Sequence, residues 1–378
     1  ITPEIQSMKR TVVAVALMSI GLSAAQAQEV VVKLGGAAPL TGNQSHLGKD
    51  LENGTRLAIE EANAKGVTIG GKKVKFELVG EDDQADPRTG TTVAQRLVDA
   101  GVKGVIGHLN SGTSIPASRI YDQAGIPQVS PASTNPKLTL QNFSGVFRTI
   151  ANDVQQGTGL GKYATGALGA KRVAIIDDRT AYGQGLADET AKAVKESGGE
   201  VVAREFTTDK ATDFNAILTK IRATNPEVIF YGGMDAQAGP MVRQMKQLGI
   251  TAKFLTGDGG CSPEMIKLAG DGMSSSAYCS MPGLPLEKMP GGADFRERYK
   301  KRFNADVQVY SPYAYDAAMA IITAMQKADS VEPSKYLPEL RNSNFPGVIG
   351  NVAFDANGDI KEGAVTIYNF KDGAWVPL

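Results

Sequence analysis

Along this chain, short unbroken apolar runs alternate with longer segments whose apolar residues recur every three or four positions. The first kind predicts strands buried on both faces, and the second predicts helices with one buried stripe. Residues 30–34 (VVVKL) predict a strand ending at Gly35-Gly36, and residues 50–65 a helix stopped by Gly66. Val74, Phe76 and Leu78 alternate as a strand that runs into Glu81-Asp82-Asp83. Asp86-Pro87 supplies a helix cap followed by proline at the first helical position, and Val93, Leu97 and Ala100 then share one face as far as Gly101. A strand over 102–106, a helix over 114–124 and a strand over 126–129 complete this first run. The pattern restarts with a strand over 173–176, a helix over 185–195 and a strand over 200–206. Phe214, Ile217, Leu218 and Ile221 mark a helix broken by Asn225-Pro226, and strands follow over 228–231 and 254–256. Near the end, residues 351–354 and 364–370 predict a strand pair joined through the turn-forming Asp355-Ala356-Asn357-Gly358.

Apolar strands alternating with amphipathic helices predict parallel sheets covered on both faces, the α/β class. Two such runs predict two doubly wound lobes, and no close sequence repeat relates them. In sheets of this kind ligands sit beyond the carboxyl ends of the strands. The segments of interest are therefore 107–114, 130–135, 179–182, 232–235 and 257–260.

The beginning of the chain has the layout of an export leader. Lys9-Arg10 is a basic start, residues 11–22 are mostly apolar, and Ala25-Gln26-Ala27 is a cleavage box. The apolar run is short for a permanent membrane span. The expectation is cleavage after Ala27 and a periplasmic location, with Met8 the natural start of the leader and residues 1–7 preceding it. Lys and Arg together number 40 and so do Asp and Glu, which leaves no electrostatic case for nucleic acid or an anionic membrane surface as a partner. Export also bears on the two cysteines, Cys261 and Cys279, because an oxidising compartment favours a disulfide. Closing that loop is worth about 3 kcal/mol in the chain-entropy model; two buried thiols are the alternative. Two thiols and two histidines make a poor metal site.

Four strand-end constellations can carry chemistry. Residues 109–114 (LNSGTS) open a helix with hydroxyls and a glycine, an arrangement that exposes N–H groups to a carboxylate and that is equally an ordinary N-cap cluster. Residues 130–136 (SPASTNP) form a proline-stiffened loop that presents hydroxyls and carbonyls, or simply a rigid turn. Asp258 in the run 257–260 (GDGG) can pair with a ligand ammonium or serve its own turn. Residues 181–185 (AYGQG) fall short of a dinucleotide fingerprint, since the third glycine is absent. Catalytic signatures are weak: there is no G-x-S-x-G elbow, and a Ser111–His108 dyad would need an orienting carboxylate.

As an ordered set, residues 37–42 (AAPLTG), 81–87 (EDDQADP), 105–118 (VIGHLNSGTSIPAS), 130–136 (SPASTNP), 147–157 (FRTIANDVQQG), 181–187 (AYGQGLA) and 230–239 (FYGGMDAQAG) resemble the branched-chain amino-acid-binding proteins. These are the leucine/isoleucine/valine-binding periplasmic receptors of ABC transporters, and the resemblance spans essentially the whole chain after the leader. It implies the type I periplasmic binding fold, two Rossmann-like lobes joined by three crossovers near Ile150, Met281 and Val348. Lobe 1 would then comprise 28–150 and 282–348, and lobe 2 151–281 and 349–378. It implies a ligand carboxylate held at Ser111 with help from the Thr134 loop, and an ammonium held by the Ala132 carbonyl, the Thr134 hydroxyl and Asp258. Tyr182 would be the site tyrosine, Leu47, Met234 and Tyr313 would line the side-chain pocket, and Asn110 would flank it. It further implies a monomer that takes a free amino acid to membrane permease subunits, with no cofactor and no catalysis. Three positions depart from the family pattern. Asp258 stands where many relatives have glutamate, Met234 replaces an aromatic residue, and Ala85 and Asn110 occupy the positions of a common first-lobe disulfide. The first two widen the expected ligands from leucine, isoleucine and valine to alanine, proline, phenylalanine or γ-aminobutyrate. An exported enzyme on the same fold and a sensory domain are the competing readings.

Overall fold

The structure, a computed structural model, describes residues 29–378; the expected leader lies outside the described residues. The first run of the chain forms β1 (Val30–Ala38), α1 (Ser45–Lys65), β2 (Thr68–Ile69), β3 (Lys72–Asp82), α2 (Pro87–Asp99), β4 (Val105–Gly107), α3 (Ser111–Gln123), β5 (Gln128–Ser130) and β6 (Val146–Arg148). The second forms α4 (Asp153–Thr165), β7 (Arg172–Asp177), α5 (Ala181–Glu196), β8 (Glu200–Phe206), α6 (Asn215–Arg222), β9 (Val228–Gly232), α7 (Asp235–Gln247), β10 (Lys253–Thr256), α8 (Pro263–Ala269) and β11 (Ala277–Met281). The chain then makes α9 (Gly292–Phe303), α10 (Ser311–Lys327), α11 (Pro333–Arg341), β12 (Asn344–Pro346), β13 (Asn351–Ala353), β14 (Thr366–Lys371) and β15 (Ala374–Pro377).

Two sheets result. The first has the order β2-β3-β1-β4-β5-β6 and the second β15-β14-β11-β10-β9-β7-β8. In each, the parallel strands are wound the same way: β3-β1-β4-β5-β6 in one and β8-β7-β9-β10-β11 in the other. This is the architectural repeat that the sequence does not display. In the first lobe α1 and α10 cover one face, while α2 and α3 bury Val93, Leu97 and Tyr121 on the other. In the second, α4 and α5 cover one face, and Phe214, Leu218, Met241 and Met265 fill the other.

The chain passes between lobes after β6 and again after β11, beyond which α9 to α11 return to pack with α1 and the first lobe. The third passage lies later than the position near Val348. β13 pairs with β12, not with the following strand; Phe354 stacks on Phe147 at 4.9 Å; and Asp359 accepts from Arg148 Nε at 2.6 Å. The chain therefore stays with the first lobe to about residue 360 and crosses before β14. The expected pairing of 351–354 with 364–370 is thus not formed. β14 lies antiparallel between β11 and β15 instead, because Ile367 and Asn369 complete the edge of the second sheet beside Ser280 and Tyr278.

Three helices begin one turn earlier than their apolar stripes suggest, at Ser45, Ser111 and Ala181. A stripe marks only the buried middle of a helix, while its polar first turn is set by end-capping. Thr180 shows the device: its hydroxyl accepts the Gly183 N–H at 3.0 Å. Ser111 and Tyr182 consequently belong to first helical turns. The strand expected over 102–106 is confined to Val105–Gly107.

Candidate functional site

Buried polar residues from both lobes meet where the two sheets present their strand ends. From the first lobe, the segment after β4 and the loop after β5 are laced together. Ser130 donates to the His108 carbonyl at 2.9 Å, Ser133 donates to the Leu109 carbonyl at 2.9 Å, and the Asn135 N–H donates to Ser111 Oγ at 3.2 Å. Arg148, fully buried at the end of β6, holds the loop from beneath. It donates to the carbonyls of Ser133 (2.7 Å) and Asn135 (3.0 Å) and to Thr139 Oγ1 (2.9 Å), and it pairs with Asp359. Ala132 and Thr134 sit buried within this fixed loop.

The start of α3 is left open. Asn110 occupies the N-cap position but makes no capping bond; its amide instead donates to Gln44 Oε1 at 2.7 Å, and its own side-chain oxygen is buried without a partner. The first N–H groups of the helix, at Ser111 and Gly112, have no acceptor within the helix. With the positive end of the helix dipole and the Ser111 hydroxyl beside them, they suit an anion the size of a carboxylate.

From the second lobe, the turn after β10 brings in Asp258, buried and surrounded by donors. Tyr182 Oη donates at 2.8 Å and Gln156 Nε2 at 3.0 Å to one carboxylate oxygen, and Tyr310 Oη donates at 2.8 Å to the other. Burial raises the Asp258 pKa above the ordinary carboxylate range, and the three hydrogen bonds counter that rise. Tyr182 in turn accepts the Gly259 N–H at 2.9 Å. The Cys261–Cys279 disulfide forms as expected, with Cα atoms 5.4 Å apart, and ties this turn to β11. Met234, at the N-cap of α7, packs against the same turn: a Cβ at Gly259 would come within 2.8 Å of its sulfur.

Gly183 and Gly185, the two glycines of the AYGQG turn, serve close packing. A Cβ at Gly183 would fall 2.4 Å from the Gly232 carbonyl oxygen, and one at Gly185 2.4 Å from Asn135 Nδ2. The turn therefore presses on a neighbouring strand end and on the opposite lobe. His108, the imidazole of the conceivable dyad, has both ring nitrogens engaged elsewhere, with Asp83 at 2.7 Å and Tyr121 Oη at 3.0 Å, and it is fully buried. No nitrogen remains to activate Ser111. Among the described residues no cluster of His, Cys, Asp and Glu could hold a metal ion.

A family model described as periplasmic binding protein matches residues 31–374. The chain belongs to the periplasmic binding protein family. Relatives of this periplasmic binding protein include an amino acid binding protein of Pseudomonas aeruginosa, 36% identical over 96% of both chains. A Leu/Ile/Val-binding protein homolog of Brucella abortus is 35% identical over 90% of this chain and 91% of its own. Among solved structures, a leucine binding protein from Thermotoga maritima superposes with a TM-score of 0.85 at 31% identity, covering 92% of this chain and 97% of that one. The fold is the type I periplasmic binding fold.

In this periplasmic binding protein the lobes touch across the cleft through several polar contacts, of which three are formed by side chains beyond the crossovers. Tyr310 of the first lobe reaches Asp258 of the second at 2.8 Å, Asn135 Nδ2 donates to the Ala181 carbonyl at 2.6 Å, and His46 Nε2 lies 2.8 Å from Asp235 Oδ2. Leu47 and Met234 are the sequence neighbours of that last pair, and both are buried. Tyr313 is buried beside the same region. It lines a cavity of about 490 Å³ among the crossovers, with Thr149, Pro282, Gly283 and Ile360, and its hydroxyl abuts Gly283. Tyr310, one turn earlier, is the tyrosine of this stretch that hydrogen-bonds Asp258. Its place is set by Asp50, whose carboxylate accepts the N–H groups of Gln308, Val309, Tyr310 and Ser311. Sequence reasoning passed over Tyr310, Gln156 and Asp153. Asn152 and Gln155, which form a capping box at the start of α4, are the legible signal that would have drawn attention to Asp153 and Gln156.

The His46–Asp235 pair makes lobe contact sensitive to pH. Burial disfavours the charged imidazolium, but the Asp235 hydrogen bond and charge, with Glu264 and Asp50 behind them, outweigh it and raise the His46 pKa. The contact is therefore at full strength below the ordinary histidine range and is lost as pH rises through the raised pKa. Because the imidazole is partly exposed, although Asp235 is buried, the effect is small, on the order of a few-fold in ligand affinity. The ratio of wild-type to His46→Gln affinity, measured by calorimetry at each pH, is expected to exceed one at pH 5.5 and approach one by pH 9. A ratio that does not change with pH would show that the pair plays no part in closure.

Proposed function

We propose that this protein is a periplasmic receptor that encloses a neutral L-amino acid between its lobes and delivers it to the permease subunits of an ABC transporter. Leucine, isoleucine and valine are the first candidates. The observation that carries this reading is the two-ended polar site. The open start of α3 with Ser111 suits a carboxylate, and the buried carboxylate cluster around Asp258 suits an ammonium. A zwitterion buried between them would have both charges matched. Relatives support the side-chain preference, including a structure of a Streptococcus pneumoniae branched-chain amino acid transporter substrate binding protein in complex with isoleucine, at 26% identity and a TM-score of 0.81 over 92% of this chain and all of that one. A Pseudomonas aeruginosa relative at 31% identity over 91% of each chain is named for threonine and alanine as well as leucine, isoleucine and valine. This favours a broad side-chain pocket, as does the adaptable Met234.

In this reading Ser111, Asn110 and the Thr134 loop receive the carboxylate, Ala132, Thr134, Tyr182 and Asp258 serve the ammonium end, and Leu47 and Met234 face the side chain. Lobe 1 comprises residues 28–150 and 282 to about 360, lobe 2 the remainder after the leader, and the receptor acts as a monomer without catalysis. Calorimetric titration with the common amino acids tests the proposal. Micromolar or tighter binding of at least one neutral L-amino acid is expected, and an absence of binding heat across the set would refute it.

A further inference from the structure

Beside the cleft lies a second opening, a largely apolar pocket of about 390 Å³ whose walls come from both lobes. Met289, Val307 and Val309 belong to its first-lobe side, and Ile266, Tyr368 and Trp375 to its second-lobe side. Ser111, Thr134, Tyr182 and Asp258 take no part in it. Voids left by ordinary packing seldom exceed a water molecule, whereas this volume and lining are those of a small-molecule site. Among the described residues that line it, Glu287 alone carries a charge. Burial, with the Glu287 carboxylate adding to it, raises the Tyr368 pKa, so the negative charge is felt at the aromatic wall. Tyr313 lines both this pocket and the crossover cavity, and its hydroxyl is buried without a partner. Such walls repel a carboxylate. They suit a protonated amine on an apolar body, since an ammonium is attracted both to Glu287 and to the faces of tryptophan and tyrosine rings.

We propose that this pocket is a second ligand site, for a small apolar amine, and that filling it favours the closed form of the protein. Its position supplies the coupling. Val309 adjoins Tyr310, and Cys261, another lining residue, lies three positions after Asp258. The pocket therefore stands beside the bond by which Tyr310 reaches Asp258 across the cleft. An opening that parts this bond also draws Val307 and Val309 away from Ile266 and Trp375. A ligand that fits the assembled walls binds the closed form more tightly, shifts the lobes toward it and raises the affinity for an amino acid in the cleft. By reciprocity the amino acid raises the affinity of the amine by the same factor. The coupling rests on the amino-acid reading above; the pocket does not.

Trp375 is the one tryptophan of the sequence, so its fluorescence reports occupation directly. The test titrates phenethylamine, 2-phenylethanol and 3-phenylpropionate into wild type, Glu287→Gln and Ala374→Phe, the last of which crowds the pocket from its exposed rim. The amine is expected to change the emission saturably and to bind a few-fold more tightly than the alcohol, the scale of a rim charge, with the carboxylate weakest. Glu287→Gln is expected to make amine and alcohol equal, and Ala374→Phe to weaken both by roughly tenfold or more. Calorimetry with leucine, or with whichever neutral L-amino acid binds most tightly, is expected to show about fivefold tighter binding at saturating phenethylamine in wild type and no gain in Ala374→Phe. The absence of a saturable response to the amine, or a response that Ala374→Phe leaves intact, overturns the proposal. So does amino-acid affinity that is unchanged by the amine, or that falls because the amine competes in the cleft. If no amino acid binds, the receptor reading fails, and the pocket stands or falls on the tryptophan response alone.

Discussion

Asp258→Ala is expected to weaken amino-acid binding by roughly two orders of magnitude or more and to lower the melting temperature as well. The substitution leaves three buried donors, Tyr182 Oη, Gln156 Nε2 and Tyr310 Oη, without an acceptor, each at a cost of about 1–3 kcal/mol. The costs fall on different properties. Tyr182 and Gln156 belong to the same lobe as Asp258, so their loss is felt mainly in stability and in the shape of the site. Tyr310 crosses from the other lobe, so its loss is felt in closure. Tyr310→Phe isolates the crossing bond and is expected to lower affinity by about tenfold with little change in the melting temperature. Calorimetry and thermal melting on the two variants separate these contributions. Wild-type affinity in Asp258→Ala would remove Asp258 from the site altogether.

Arg148→Met is expected to be the most destabilising single change among the residues described, lowering the unfolding free energy by about 3–5 kcal/mol. The guanidinium is fully buried and spends its donors on Asp359, two loop carbonyls and Thr139. Methionine fills much of the space but satisfies none of these groups. Adding Asp359→Asn is expected to recover only part of the loss, because the Ser133 and Asn135 carbonyls remain unpaired. Denaturant unfolding followed by fluorescence would measure the change. A loss below about 1 kcal/mol, the net value of an ordinary hydrogen bond, would mean that the β5 loop is held by its serines alone. Ligand affinity should fall in parallel, since the loop fixed by Arg148 carries Thr134.

The parallel core of both lobes was legible because a strand buried on both faces has to be apolar throughout. The runs 173–176 and 228–231 could hardly be anything else, and both are strands. The rule that ligands gather at strand ends then led to Ser111, Thr134, Tyr182 and Asp258, which the fold brings to one cleft. Legibility stopped where position depends on the chain returning from elsewhere. Tyr310 enters the site because Asp50, far away on α1, gathers four backbone N–H groups there, and no local pattern announces that. Residues 351–354 and 364–370 carried a convincing turn between them, but each strand found a better partner. A turn signal is local, whereas the choice of partner follows the apolar edge that needs covering. Asp153 was overlooked for a similar reason. A lone carboxylate near a helix start reads as capping, and its burial becomes visible only once Thr134 and Asp258 are packed around it.

Contacts between the lobes, among them Tyr310 with Asp258, Asn135 with Ala181 and His46 with Asp235, also govern time. A molecule enclosed behind them can leave only after they part, so escape depends on the opening of the protein as well as on the strength of its own bonds. Substitutions at these contacts should shorten the residence time while leaving the capture rate, set by the open form, nearly unchanged. A receptor built this way has separate controls for what it recognises and for how long it keeps it, and the second can be tuned without redesigning the first.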